Sequence, residues 1–297
     1  MPNTVHPKTS NTHQLLMGMV FIILSALAFA FMSLFVRLAG DLPSFEKVFF
    51  RNLFAVFIAF YLLRKKGLTL KPKAGLTGWH LLRSLTGFAG VIFNFYAIDH
   101  LIISDASMLN KLSPFFAIIF SLFILKEKLR PVQGVALIIA FIGVLFVAKP
   151  SFQMTAAIPY LSGILGGLAA GFAYTCVRKM SLDGEAPELI ITMFSGISTL
   201  ICLPLILFAF VMPTPIQLGY MILSGISAAA AQVCITKAYG YAPASEISIY
   251  DYTNILFSAI LGYLFLSQTP DGLSVLGYFI ILSASLGIYL WNNRRNK

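Results

Sequence analysis

Charge is scarce in this chain. Asp, Glu, Lys and Arg make up 11% of its 297 residues, against 58% apolar residues and a mean hydropathy of +0.86. A soluble domain is about a quarter charged, so a water-soluble fold is excluded. The 14% of aromatic residues argues equally against disorder. Cysteine is rarer still. Cys176, Cys202 and Cys234 sit inside apolar runs with no CxxC pair and no His at ligand spacing, which points to inert buried thiols rather than a disulfide or a metal site. The four histidines lie in the N-terminal tail (His6, His13) or at the ends of apolar runs (His80, His100). No HExxH or GxSxG motif occurs, and Gly166-Gly167 is not followed by Lys-Ser/Thr, so there is no phosphate loop. No cofactor is expected.

What the chain does have is long apolar runs. A helix needs about 20 apolar residues to cross a bilayer core. The qualifying segments are 15–36, 44–63, 79–98, 105–125, 131–148, 157–178, 188–210, 216–239, 246–266 and 272–291. Pro43, Pro72, Pro131, Pro150, Pro187, Pro213, Pro215, Pro243 and Pro270 fall at or near their edges. Backbone groups cannot stay unpaired in lipid, and runs without alternation exclude a β-barrel. The first run is longer than a signal-peptide core of roughly 7–15 residues and reads as an uncleaved helix. The expected fold is an all-α integral membrane protein of ten transmembrane helices.

The net charge of +10 lies in short clusters between these runs, a pattern that orients a membrane protein rather than one that binds nucleic acid. With the N-terminus placed in the cytoplasm, the inside segments hold fifteen of the 21 Lys and Arg residues and the outside segments hold three, Arg37, Lys47 and Lys149. Both termini are therefore expected inside, in the cytoplasmic membrane.

The chain also repeats. Residues 97–128 overlay 238–269 without a gap, placing Ala97 on Ala238, Ser104 on Ser245, Asp105 on Glu246, Ser107 on Ser248 and Leu125 on Leu266. Two halves of five spans each, 1–149 and 150–297, must lie in the membrane with opposite orientations. Inverted repeats are a recurring architecture of secondary transporters, whose site lies near the midplane.

The sequence resembles the drug/metabolite transporter superfamily, and within it the EamA-type ten-span transporters. The likeness rests on Phe50-Arg51-Asn52, on Phe93-Asn94-Phe95-Tyr96-Ala97-Ile98, and on Asp105-Ala106-Ser107-Met108-Leu109 followed by Leu112-Ser113-Pro114-Phe115-Phe116. It continues through Ile124-Leu125-Lys126-Glu127-Lys128-Leu129, Gly134 and Ile142-Gly143-Val144. The resemblance implies two inverted five-helix repeats and transport of metabolites, often by export. The second half departs from the pattern, with Asn254-Ile255 opposite Ser113-Pro114 and Gln268 opposite Glu127.

Ionisable groups within a span are costly and are functional candidates. Lys111 lies about 9 Å into the fourth span, beside Asn110, Ser107, Ser113 and Pro114. At the matching place in the ninth span, Tyr250-Asp251-Tyr252-Thr253-Asn254 sets Asn110 opposite Asp251 and Lys111 opposite Tyr252. Lys111 and Asp251 thus face one cavity, and the tyrosines beside the acid suit a ligand with an apolar body and a charged tip; the plain alternative is a structural ion pair. Arg51 binds a carboxylate or phosphate, or ties its helix to a carbonyl. Asn94, Tyr96, Tyr174, Gln232 and Asn254 complete the candidate substrate-binding set, or serve as helix–helix hydrogen bonds. Arg83, after Trp79 and His80, reads as snorkelling to headgroups. Asp105 and Glu246 read as caps at helix starts. Gly163, Gly167 and Gly171 form a packing stripe, and Glu127 with Lys126, Lys128 and Arg130 reads as an interface anchor. The expected function is secondary transport of a small amino-acid-like, zwitterionic or anionic metabolite by alternating access. An intramembrane enzyme, a flippase for lipid-linked substrates, or a receptor or scaffold is the alternative. Expected partners are the small-molecule substrate and the lipid bilayer, with a proton as coupling ion and a homodimer both open.

Overall fold

A chain that crosses lipid closes its hydrogen bonds within each segment, and this chain does so with helices. The computed structural model describes residues 12–40, 42–100, 109–148, 157–267 and 272–295. The helices are α1 Thr12–Leu38, α2 Ser44–Lys65, α3 Thr77–His100, α4 Ser113–Ile124, α5 Pro131–Ala148, α6 Ala157–Leu182, α7 Pro187–Ala209, α8 Pro215–Tyr241, α9 Thr253–Leu266 and α10 Gly272–Arg295. Proline opens α5, α7 and α8, at the position where its missing N–H has no intrahelical partner to lose. Thr214 and Gln217 close a reciprocal capping box at the start of α8. Among the described residues, five helices qualify as membrane-crossing on length and hydropathy alone. By contrast, α2 carries Glu46, Lys47, Arg51, Arg64 and Lys65.

Two of the expected spans are broken. Before α4 the chain forms a turn at Lys111 and Leu112, because the ring of Pro114 displaces the carbonyl four residues back and offers no N–H. Before α9 the chain runs through a helical turn at Ala244–Ile247 and a 3-10 segment at Ser248–Tyr252. No proline causes this second break. The Thr253 hydroxyl donates to the Tyr250 carbonyl at 2.7 Å and helps satisfy the loosened backbone. Glu246 lies in the first turn of that short helix; Asp105 and Ser107 lie outside the described residues.

The loops fix which helix ends share a face. Lys66, just after α2, pairs with Glu188 at the start of α7 at 2.7 Å. The Lys73 N–H and the His80 ring, at the entry to α3, both meet Glu185 in the α6–α7 loop, at 3.0 and 3.2 Å. Arg130 stacks over Trp291 near the end of α10 at 5.5 Å, and Lys237 of α8 over Phe21 of α1 at 5.2 Å. Starts of odd-numbered helices thus meet ends of even-numbered ones, and Thr12 and Arg295 share this terminal face.

Packing follows a pseudo-twofold relation. The most extensive contacts are α1 with α8, α3 with α6, α2 with α7, and α5 with α10. Exchanging each helix with the one five places on turns α1–α8 into α6–α3 and leaves α2–α7 and α5–α10 unchanged. The pairs α4–α6 and α9–α1 exchange likewise. Hydrogen bonds repeat the relation: Ser25 of α1 donates to the Ala231 carbonyl of α8, and Ser162 of α6 to the Phe93 carbonyl of α3, each at 3.0 Å. These are ten transmembrane helices in two inverted five-helix repeats. Lipid supplies no hydrophobic drive between helices, so close packing must hold them together. A Cβ on Gly90 would stand 3.3 Å from the Gly166 carbonyl, and one on Gly166 3.3 Å from the Gly90 carbonyl. The stripe of Gly163, Gly167 and Gly171 packs on Leu109 and on residues 112–117.

The main apolar core gathers on the terminal side: Leu15, Met19 and Ile22 of α1, Val177 and Met180 of α6, Tyr239 of α8, and Ile247, Tyr250 and Tyr252. Glu127 belongs to this seal and is not the interface anchor expected from its basic neighbours. Lys126 adopts a left-handed φ of 53°, and Lys126 and Lys128 are exposed while Glu127 is buried. Glu127 accepts from Arg178 Nε at 2.8 Å, and Arg178 Nη1 donates to the carbonyls of Tyr239 (3.0 Å) and Gly240 (3.2 Å). Burial pushes the Glu127 carboxyl above the ordinary carboxylate range, with the Arg178 charge opposing it.

Candidate functional site

On the other side of this seal the repeats part around a cavity of about 1120 Å³. All ten helices contribute to its lining. Its exposed lining residues include Ser33, Arg37 and Gly40, at the end of α1 away from the termini, so the mouth lies on the face opposite the termini. Tyr174 lines the cavity and stacks on buried Tyr239 at 5.3 Å. The Tyr239 carbonyl in turn accepts from Arg178. Tyr174, Tyr239 and Arg178 thus form part of the packed layer between the cavity and the terminal face.

The two broken helices supply the charged pair. Lys111 Nζ lies 3.4 Å from Asp251 Oδ2, with side chains 14% and 9% exposed. The Tyr252 hydroxyl donates to the Lys111 carbonyl at 3.1 Å and ties the two breaks together, and Asn254 Nδ2 donates to the Ala26 carbonyl of α1 at 2.8 Å. Unwound backbone near the midplane, where two repeats meet, is where transporters of this architecture place substrate groups.

Of the residues singled out in the sequence, Arg51, Asn94, Asn110, Lys111, Tyr174, Gln232, Asp251 and Asn254 line this cavity. Three do not. Tyr96 is exposed away from it. Tyr250 and Tyr252, expected to flank the acid on the ligand surface, are packed in the core beneath it, because the 3-10 turn rotates them off the face that carries Asp251. Arg83 was missed. It is 3% exposed and lines the cavity, where its guanidinium lies 4.0 Å from the centre of the Phe194 ring and donates to Gln232 Oε1 at 3.1 Å. A signal was present: Gly87, one turn on, leaves the space this guanidinium occupies, since a Cβ there would fall 2.1 Å from Arg83 Nη1.

The family model for EamA-like transporters matches twice, over residues 16–149 and 157–290. The chain belongs to the EamA-like transporter family. Among curated proteins, the pseudopaline exporter CntI of Pseudomonas aeruginosa is 29% identical, over 91% of this chain and 95% of its own length. A riboflavin transporter of Vibrio cholerae is 25% identical over 96% and 97%. An S-adenosylmethionine uptake transporter of Rickettsia prowazekii is 28% identical over 84% of each. A solved structure superposes with a TM-score of 0.82 at 14% identity, over 94% of this chain and 99% of that one, which shows the shared fold. As an EamA-like protein, this chain is a multi-pass membrane transporter of small molecules.

Proposed function

We propose that this EamA-like transporter exports a small zwitterionic or anionic metabolite of amino-acid type by alternating access, with Lys111 and Asp251 at the centre of its site. The observation that carries this reading is the Lys111–Asp251 pair at 3.4 Å, set on the unwound points of the two symmetry-related helices and lining the cavity. A partly buried ion pair suits exchange. A substrate carboxylate replaces Asp251 at Lys111 while a substrate ammonium replaces Lys111 at Asp251, so neither charge is left unpaired in a dry site. Export draws support from the exporter among the relatives, although others are uptake proteins. The termini are proposed to be cytoplasmic, which makes the cavity face outward in this conformation. An active cycle needs a gradient, and Asp251 is the proposed proton carrier.

Counterflow of amino acids in proteoliposomes tests the site. Lys111→Ala, eluting as a folded protein, is expected to lose nearly all transport; wild-type rates would remove Lys111 from the site. Asp251→Asn, which removes the proton carrier and the charge that meets the substrate ammonium, is expected to lose gradient-driven accumulation outright and to keep only slowed exchange.

A further inference from the structure

The cavity carries more positive charge than the proposed reading uses. We infer that Arg51 and Arg83 form a second anion site, so that the substrate bears an oxyanionic group in addition to the one met by Lys111. This rests on the reading of the cavity as the substrate site.

Arg51 is 5% exposed and lines the cavity from α2. Among the described residues it has no hydrogen bond or ion pair to any side chain or carbonyl, and its Nε is buried with no acceptor. Arg83 reaches in from α3, is 3% exposed, and has Gln232 Oε1 as its hydrogen-bond acceptor; its Nε too is buried and unpartnered. Both arginines line the one cavity. Asp251 is the one carboxylate among the described lining residues, and it already faces Lys111. Arg37 and Lys47 add charge of the same sign to the lining.

Two dry, like-charged guanidiniums without a counter-ion are expensive to keep. A structural arginine of this kind normally ties down carbonyls, as Arg178 does through Tyr239 and Gly240. Arg51 ties down none. The Phe194 face and the space left by Gly87 hold the Arg83 plane in place, while N–H groups of both arginines remain for a ligand. The planar fork of a guanidinium matches a carboxylate or a phosphate. The substrate class that fits is therefore an ammonium-bearing compound with two separated oxyanionic groups, one for Lys111 and one for the arginine pair.

The test is a set of binding titrations on the purified full-length protein, read by thermal shift at fixed ionic strength. The probes are two near-isosteric or parent pairs, glutamate with glutamine and O-phosphoserine with serine. The acidic member of at least one pair is expected to bind about 10- to 100-fold more tightly than its neutral partner, as for a charge-assisted hydrogen bond in a dry site. The pair showing the larger ratio names the oxyanion. Arg51→Gln and Arg83→Gln are expected to bring that ratio to about one, the acidic member losing far more affinity than the neutral one. Lys111→Met is expected to weaken both members. Should a glutamine variant fail to fold, Arg51→Lys, which keeps the charge and loses the fork, and Gly87→Ala, which displaces the Arg83 guanidinium, are expected to reduce the same ratio. A wild-type ratio of about one, or a ratio unchanged in the folded variants, overturns the second site alone. Binding of none of the four probes overturns the amino-acid-type reading and this inference together.

Discussion

The two halves of the membrane thickness differ in how they partner their buried charges. Toward the terminal face, charges are paired: Glu127 with Arg178, Glu188 with Lys66, Glu185 with His80 and the Lys73 N–H. Each pairing joins segments from different repeats, and the main apolar core fills the space around them. Toward the opposite face the core thins to small clusters around Leu34 and Leu42. There a cavity holds arginines with unsatisfied nitrogens. Unsatisfied atoms occur on both sides, with Glu127 Oε2, Glu188 Oε2 and His80 Nδ1 among those toward the terminal face. What sets the cavity apart is that, among the described residues, Arg51 and Arg83 have no carboxylate partner, whereas each buried carboxylate of the seal has a donor.

Removing one partner from the seal is the most damaging way to break this contrast. Glu127→Ala leaves Arg178 buried without its carboxylate and is expected to destabilise the closed terminal side by about 3–5 kcal/mol. A lowered melting temperature of the purified protein checks it. A smaller loss is expected from Gly90→Leu, which forces the α3–α6 contact apart at about 1–3 kcal/mol, read as a lower yield of folded protein by size exclusion. Tyr252→Phe removes the hydrogen bond that ties the ninth-span break to Lys111. It is expected to cost about 0.5–1.5 kcal/mol and to slow counterflow modestly, sharpening the role of the register between the breaks. Lys66→Ala removes a side chain 57% exposed, but leaves Glu188, 5% exposed, without its cation. The melting temperature is expected to fall, by less than in Glu127→Ala because water reaches the Lys66 side of the pair.

Much of the fold was legible because lipid imposes one requirement, long apolar helices, and charge bias and repetition then order them. The break before α4 follows from Pro114. The break before α9 has no such mark; it depends on tertiary contacts such as Asn254 with the Ala26 carbonyl. Lys111 and Asp251 were readable as partners because the internal overlay set their helices side by side. Arg83 was not, since Trp79 and His80 before it resemble an interfacial belt, whereas His80 is in fact buried against Glu185. Glu127 was hidden for a similar reason: only the turn at Lys126 shows that a carboxylate within a basic cluster points inward.

The central claim is a site reached from one face and sealed at the other by the Glu127–Arg178 clasp. Its most direct measurement is the labelling of Asn110→Cys, a cavity position, by a membrane-impermeant maleimide in vesicles of defined orientation. Labelling is expected to be faster from the face opposite the termini, to be slowed by a transported substrate, and to shift toward the terminal face when Glu127→Ala is added. Faster labelling from the terminal face in the otherwise native protein, or no response to Glu127→Ala, would contradict the account.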